Sequence, residues 1–171
     1  MTLQLQKADE SDLETLAELW RALATDMVQY SDLNELSDGA ASEAVEEEFR
    51  NQLESEDVTN YLLRESNSES ESESESESKS GTTVGFVTLR KGTHPSREYS
   101  EYLRIVNLFV KEGYRSEGYG SAVIDRVEEM GREKGCDLLK VSFEIENSGA
   151  RRFYAENGFE EKQIDSVYRL E

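Results

Sequence analysis

The stretch from Leu108 to Phe159 restricts the fold more than any other part of the chain. Ile105-Val106-Asn107-Leu108-Phe109-Val110 is a short apolar run of the kind buried inside a sheet. After Arg115-Ser116-Glu117-Gly118-Tyr119-Gly120 comes an amphipathic helix. Val123, Ile124, Val127 and Met130 line one side of it, and Asp125, Arg126, Glu128 and Glu129 the other. The helix stops near Gly131 to Gly135, and Leu138 to Ile145 reads as the next strand. The two strands and the helix make a right-handed strand-helix-strand unit whose strand ends share one edge. The first amides of a helix have no partner inside it and carry a partial positive charge, so the turn before Gly120 is an anion site. Gly118 and Gly120 have no side chain to hold an anion away, Arg115 adds a planar cation, and Ser121 adds a hydroxyl.

A second block follows at once. Asn147, Ala150, Phe153, Tyr154, Gly158 and Phe159 fit the pattern Asn-x-x-Ala-x-x-hydrophobic-Tyr-x-x-x-Gly-Phe, and Arg115, Gly118 and Gly120 fit Arg-x-x-Gly-x-Gly. The two blocks in this order, separated by about one helix and one strand, resemble the GNAT superfamily of N-acetyltransferases. The resemblance implies an α/β fold with a central mixed sheet flanked by about four helices. Acetyl-CoA is the implied co-substrate, with no metal.

The first hundred residues agree with that fold in pattern only. Leu3 to Gln6 alternates like an opening strand. Ser11-Asp12-Leu13-Glu14 reads as a capping box before a helix carrying Leu13, Leu16, Trp20, Leu23 and Met27 at helical spacing. Beyond a polar break at Ser31 to Gly39, Val45, Phe49 and Leu53 share one face of a second helix. Val58 to Arg64, Thr83 to Arg90, and about Tyr99 to Val110 read as three strands, and Phe159 to Gln163 with Val167 to Leu170 as a short closing pair. The expected organisation is one domain over residues 1–171. It is interrupted by the Ser/Glu tract at about 66–81, which has no apolar side chain to bury and reads as an inert, solvated hairpin tip.

Charge narrows the setting. Asp and Glu number 38 against 19 Lys and Arg, for a formal charge of -19, which argues against nucleic acid as a partner. The acids lie along the helices too, as in Glu46-Glu47-Glu48, so the excess belongs to the whole surface. Salt would screen its self-repulsion, and the expectation is a salt-loving source of haloarchaeal character. An acidic interaction protein at ordinary salt is the plainer alternative. Cys136 is the only thiol and reads as a small core residue, and His94, the only histidine, as a loop side chain. No run approaches the roughly 18 apolar residues of a membrane span, and the first ten residues have no signal character, so a cytoplasmic location is expected.

The resemblance also implies site roles. The backbone of Leu108, Phe109 and Val110 would bind the pantetheine arm and polarise the thioester carbonyl. Arg115, Ser116, Glu117, Gly118, Tyr119, Gly120 and Ser121 would hold the diphosphate, Asn147 would bond the pantetheine, and Phe153 would pack near it. Tyr154 would be the general acid, a phenol that stays protonated at neutral pH. Certain family members carry a glutamate base on the fourth strand where this chain has Arg104. Glu101 and Glu144 are the nearby candidate bases, beside a chain of waters.

Plainer roles stand next to these. Asn147 can cap the helix starting at Ser148. Phe153 and Tyr154 can be core aromatics, Arg115 a surface cation, and the glutamates part of an acidic surface. The acceptor is a small-molecule amine or a peptide or protein amino group. A cationic acceptor suits an acidic surface but singles out no compound. Edge pairing of the final strands offers a homodimer contact. The competing readings are a catalytically inactive acyl-CoA sensor of the same fold and a nucleotide-binding protein. The latter lacks the third glycine of a dinucleotide fingerprint, Val123 standing in its place.

Overall fold

The computed structural model of the chain describes residues 2–37, 42–66 and 81–170. The Ser/Glu tract, from 67 to 80, lies outside them. Nine elements follow one another: β1 (Thr2–Lys7), α1 (Leu13–Met27), α2 (Ser42–Leu53), β2 (Val58–Ser66), β3 (Thr82–Thr93), β4 (Glu101–Val110), α3 (Tyr119–Glu133), β5 (Leu138–Val141) and α4 (Ser148–Glu156). The strands form one sheet in chain order. The first four pair antiparallel, and β5 adds in parallel to β4 through the α3 crossover. A mixed sheet with four helices is the expected fold.

The sheet separates two apolar layers. On one face α3 lays Val123, Ile124, Val127 and Met130 against Val87, Leu89, Leu103 and Ile105, with Tyr154 of α4 joining them. On the other, α1 and α2 bring Leu16, Leu19 and Phe49 onto Leu62, Phe86 and Phe109. Phe86, fully buried, stands edge-on to Phe49 at 6.3 Å and near Phe109 at 6.5 Å. Each side chain of this kind contributes about 1.5–3 kcal/mol by leaving water. The apolar periodicities of α1 and α3 therefore mark the surfaces these helices bury.

Several expectations need correction. The capping box at the start of the first helix is formed by Asp9 and Asp12, not by Ser11 and Glu14. Asp9 Oδ1 accepts from Ser11 N at 2.9 Å, and Asp12 Oδ2 accepts from Asp9 N at 2.9 Å, closing a 3-10 turn ahead of α1. β5 ends at Val141 instead of Ile145. No closing strands form among residues 159–170. That segment is exposed apart from the half-buried Phe159, and ion pairs from Arg151 to Glu161 and from Arg169 to Asp32 (3.0 Å) fasten it. A strand needs a ladder partner and a face to bury. The charged run Glu160-Glu161-Lys162 supplies no apolar face, and Ile164, Val167, Tyr168 and Leu170 all remain exposed.

Candidate functional site

The site starts where β4 and β5 part. Their parallel ladder runs from Tyr102 and Leu138 to Ile105 and Val141 and stops there, while β4 continues to Val110. Residues 107–110 thus keep β3 on one side and, among the described residues, have no strand on the other. Val106 is an extra residue in β4: Thr88 pairs with Asn107 and Leu89 with Ile105, so the register slips at the mouth of the fork. Gly85 lets β3 and β4 come close here, because a Cβ on it would lie 1.9 Å from the Phe109 carbonyl oxygen. Leu108 and Val110 turn their side chains to the α3 layer and Phe109 to the α1 layer, so what they offer the fork is main chain.

At the end of β4 the loop turns into α3 through two left-handed residues, Ser116 (φ 65) and Gly118 (φ 86). Gly118 is the N-cap and no side chain caps the helix, which leaves the amides of Tyr119, Gly120 and Ser121 facing outward. Successive amides in such a loop form an anion-binding concavity. Gly120 has a second reason to be glycine: a Cβ there would meet the Phe153 ring at 2.9 Å. The Tyr119 side chain is buried, 6.3 Å from the Tyr114 ring, and its hydroxyl is held up to about 12 by desolvation and then by Glu65. It anchors the loop, and only its amide faces the fork.

Arg115 is more committed than the sequence suggests. Its Nε donates to the Val110 carbonyl at 2.8 Å, its Nη2 donates to Asp26 Oδ2 at 2.8 Å, and the guanidinium lies 5.4 Å from the centre of the Phe109 ring. It straps the loop to α1 at the edge of a hollow of about 310 Å³ lined by Glu18, Ala22, Phe109 and Lys111. No sequence signal pointed to Asp26, which is far from Arg115 along the chain.

On the other arm of the fork Asn147 caps α4, its Oδ1 accepting from Ala150 N at 2.9 Å. Phe153 and Tyr154 follow one turn later. Tyr154 is 8 % exposed, stacked on Phe143 at 5.4 Å and edge-on to Phe153 and Phe159. Burial pushes its hydroxyl up to about 12. That hydroxyl has no hydrogen-bond partner among the described residues. Phe143, read in the sequence only as part of the strand from Leu138 to Ile145, joins this aromatic set from just beyond the end of β5.

The two glutamates lie far apart. Glu144 lies three residues past the end of β5, and its Oε1 accepts from Asn34 Nδ2 at 3.0 Å. Glu101 opens β4 at its far end. It accepts from the Thr93 hydroxyl at 3.0 Å and stands 3.9 Å from Lys91. Seven residue steps, roughly 23 Å of strand, separate it from Leu108. His94 is an exposed loop side chain, as expected; it contacts Lys140 and lies 4.8 Å from the Tyr102 ring. Cys136 is half-buried beside the α3 layer, its thiol pushed up by burial, as a small core residue would be. No cluster of three or more His, Cys, Asp or Glu side chains among the described residues could hold a metal ion. No helix among them is long and apolar enough to cross a membrane.

Comparison with known proteins agrees with this fold. Residues 33–159 match the family described as acetyltransferase (GNAT). An uncharacterized N-acetyltransferase of Methanocaldococcus jannaschii is 33% identical over 85 residues, which is 50% of this chain and 38% of that protein. The chain thus spans well under half the length of that relative. The tetramutant of the BH1408 protein of Bacillus halodurans superposes with a TM-score of 0.76 at 16% identity, over 99% of this chain and 100% of that one. The AAC(6')-Iy protein, bound to the bisubstrate analogue CoA-S-monomethyl-acetylneamine, superposes with a TM-score of 0.69 at 17% identity, over 100% and 99% of the two chains.

Proposed function

Since the chain belongs to the acetyltransferase (GNAT) family, we propose that it is an N-acetyltransferase moving an acetyl group from acetyl-CoA to an amine by direct attack in a ternary complex. The carrying observation is the fork: β4 runs on past the last β5 pair, leaving main chain free beside uncapped helix amides and an unpartnered tyrosine hydroxyl. A solved structure of the same fold contains a CoA-based bisubstrate analogue, which supports acetyl-CoA as the co-substrate.

The reaction joins the amine nitrogen to the thioester carbonyl carbon, breaks the carbon–sulfur bond and leaves a thiolate that needs a proton. The residues divide this work. The main chain of Leu108 to Val110 binds the pantetheine arm, and a main-chain amide there polarises the carbonyl, where negative charge grows. The amides from Ser116 to Ser121 hold the diphosphate with the helix dipole behind them. The Arg115 guanidinium joins them only by loosening its grip on Asp26. Tyr154 gives its proton to sulfur, its raised pKa keeping that proton in place at neutral pH. Glu144, held by Asn34 just beyond the end of β5, is the better placed of the two glutamates to take the amine proton, directly or through water. Asn147 serves first as the cap that fixes α4.

The setting is proposed on the same footing. The charge of -19 fits a cytoplasmic protein of a salt-loving organism. β5 has no ladder partner on the side away from β4 among the described residues, which gives a homodimer a place to form.

Calorimetric titration of acetyl-CoA tests the reading, with Ser116→Asp as the control. Asp tolerates the left-handed backbone at that position and puts a negative charge beside the diphosphate. Binding by the wild type that weakens at least tenfold in the variant supports the site. A folded wild type that does not bind acetyl-CoA removes it. Binding with no transfer to any amine assigns the chain to the acyl-CoA-sensing alternative.

A further inference from the structure

In a chain with 38 carboxylates and 19 Lys and Arg, one face of the sheet gathers cations. Leu103, Ile105, Leu139 and Val141 pack toward α3, so strand alternation turns Tyr102, Arg104, Lys140 and Ser142 to the opposite face. There α1 and α2 cover β2, β3 and the C-terminal end of β4 around Leu62, Phe86 and Phe109. Over the N-terminal half of β4 the ring of Tyr102 is a platform. Lys140 Nζ lies 4.4 Å from its centre and contacts His94 Nε2, while the Arg104 guanidinium sits 6.0 Å from the same centre and donates to Ser142 Oγ at 3.1 Å.

Arg97 and Lys162 border the same cluster. Desolvation and then Lys140, Lys162, Arg97 and Arg104 hold the His94 imidazolium below its usual pKa, and desolvation with Arg104 and Lys162 does the same to Lys140. Every charged neighbour that shifts these two groups is a cation. The nearby carboxylates are engaged elsewhere: Glu101 with Thr93 and Lys91, Asp137 with the amides of Ser100 and Glu101, Glu144 with Asn34, Glu161 with Arg151. None of Arg97, Arg104, Lys140 and Lys162 forms an ion pair among the described residues. Like charges converge here although the chain has twice as many acids as bases to pair them with.

The cluster borders the fork. Ser142 follows the last residue of β5, and Arg104 precedes Val106 by two residues. We propose that Arg104 and Lys140 form an anion subsite of the acceptor site, so that the amine acetylated also carries a carboxylate or phosphate. This rests on the N-acetyltransferase reading. An anion at Arg104 leaves the amine two to four residue steps, roughly 7–13 Å, along β4, between Val106 and Leu108. The loop after Val110 lies six steps, roughly 20 Å, beyond Arg104, so the cluster is not the diphosphate site. A cationic acceptor suits the average charge of the surface, but the local charge beside the fork favours an anionic one. A surface of net charge -19 repels anions, and only a local concentration of unpaired cations binds one.

The test uses the whole chain and amines matched except for the anion: O-phosphoethanolamine against ethanolamine, and glycine against glycinamide. Acetyl transfer is followed by thiol release from acetyl-CoA, and binding of each amine to the CoA-loaded protein by calorimetry. The expected result is a kcat/KM at least tenfold higher for the anionic member of one pair, with matching tighter binding. Arg104→Gln and Lys140→Gln abolish that preference, with the circular dichroism spectrum and acetyl-CoA affinity unchanged. The pair that responds distinguishes phosphate from carboxylate. Equal binding of both members of each pair, a preference untouched by both substitutions, or no binding of either anionic probe by folded protein overturns the subsite. Arg104-dependent binding without transfer would overturn the catalytic reading and leave the subsite standing, whereas transfer without anion preference would do the reverse.

Discussion

Gly120 at the start of α3 faces the Phe153 ring of α4 so closely that a Cβ on the glycine would sit 2.9 Å from two ring carbons. The second glycine of the Arg-x-x-Gly-x-Gly turn therefore sets the spacing of the helices on either arm of the fork. Gly120→Ala is expected to cost about 1–3 kcal/mol of stability through overpacking, and a second change, Phe153→Leu, to recover part of that loss. Chemical denaturation of the single and double variants checks this. Full additivity of the two changes would show that the contact does not limit packing.

Tyr154 is buried among Phe143, Phe153 and Phe159, with its hydroxyl free of protein partners among the described residues. Tyr154→Phe should lower kcat about 10²-fold or more while leaving acetyl-CoA affinity and melting temperature nearly unchanged. Turnover equal to wild type at saturating amine would take Tyr154 out of the mechanism.

Burial raises the Tyr154 hydroxyl to about 12, from an ordinary value near 10. The unfolded chain therefore releases this proton first as pH rises. The contribution to stability is complete below pH 10 and is lost as pH climbs from 10 to 12, with Tyr119 acting in the same direction. In Tyr154→Phe the fall in melting temperature across that range should be shallower. An identical slope in wild type and variant would contradict the burial effect.

Glu144 and Glu101 were equivalent candidates in the sequence, and the structure sets them at different places. Glu144→Gln should reduce kcat at neutral pH at least tenfold, whereas Glu101→Gln, at the far end of β4, should change it less than twofold. Steady-state rates of both variants with one amine decide it. Equal losses, or none in Glu144→Gln, would leave proton removal to water alone.

Raising KCl from about 0.1 M to 1 M shortens the screening length from about 10 Å to about 3 Å and should raise the melting temperature of a chain carrying a charge of -19. Exposed ion pairs such as Arg50 with Glu47 weaken over the same range but are worth little individually. A melting temperature that falls steadily with KCl would end the salt-adapted reading.

What could be read in advance depended on whether the signal was local. The apolar faces of α1 and α3 repeat with the period of a helix, and Asn147 stands three residues before the amide it caps, so both could be read directly. The closing strands could not, because four scattered apolar residues near the end of the chain look alike whether or not a neighbouring strand accepts them. Arg115 illustrates the same divide within the site. Its place beside a glycine turn marked it for phosphate, yet its partner is Asp26, brought alongside only when α1 crosses the end of β4.

The sequence by itself determined the family pattern, the two helical layers, the acidic surface and the glycine turn into α3, since each is carried by residues close together in the chain or by composition. Tertiary structure alone decided where β4 and β5 separate, that Glu144 bonds Asn34, and that His94, Arg104 and Lys140 gather around Tyr102. Those arrangements join residues from distant segments whose separation along the chain carries no periodic signal. They come into being only when backbone pairing sets one strand's register against another.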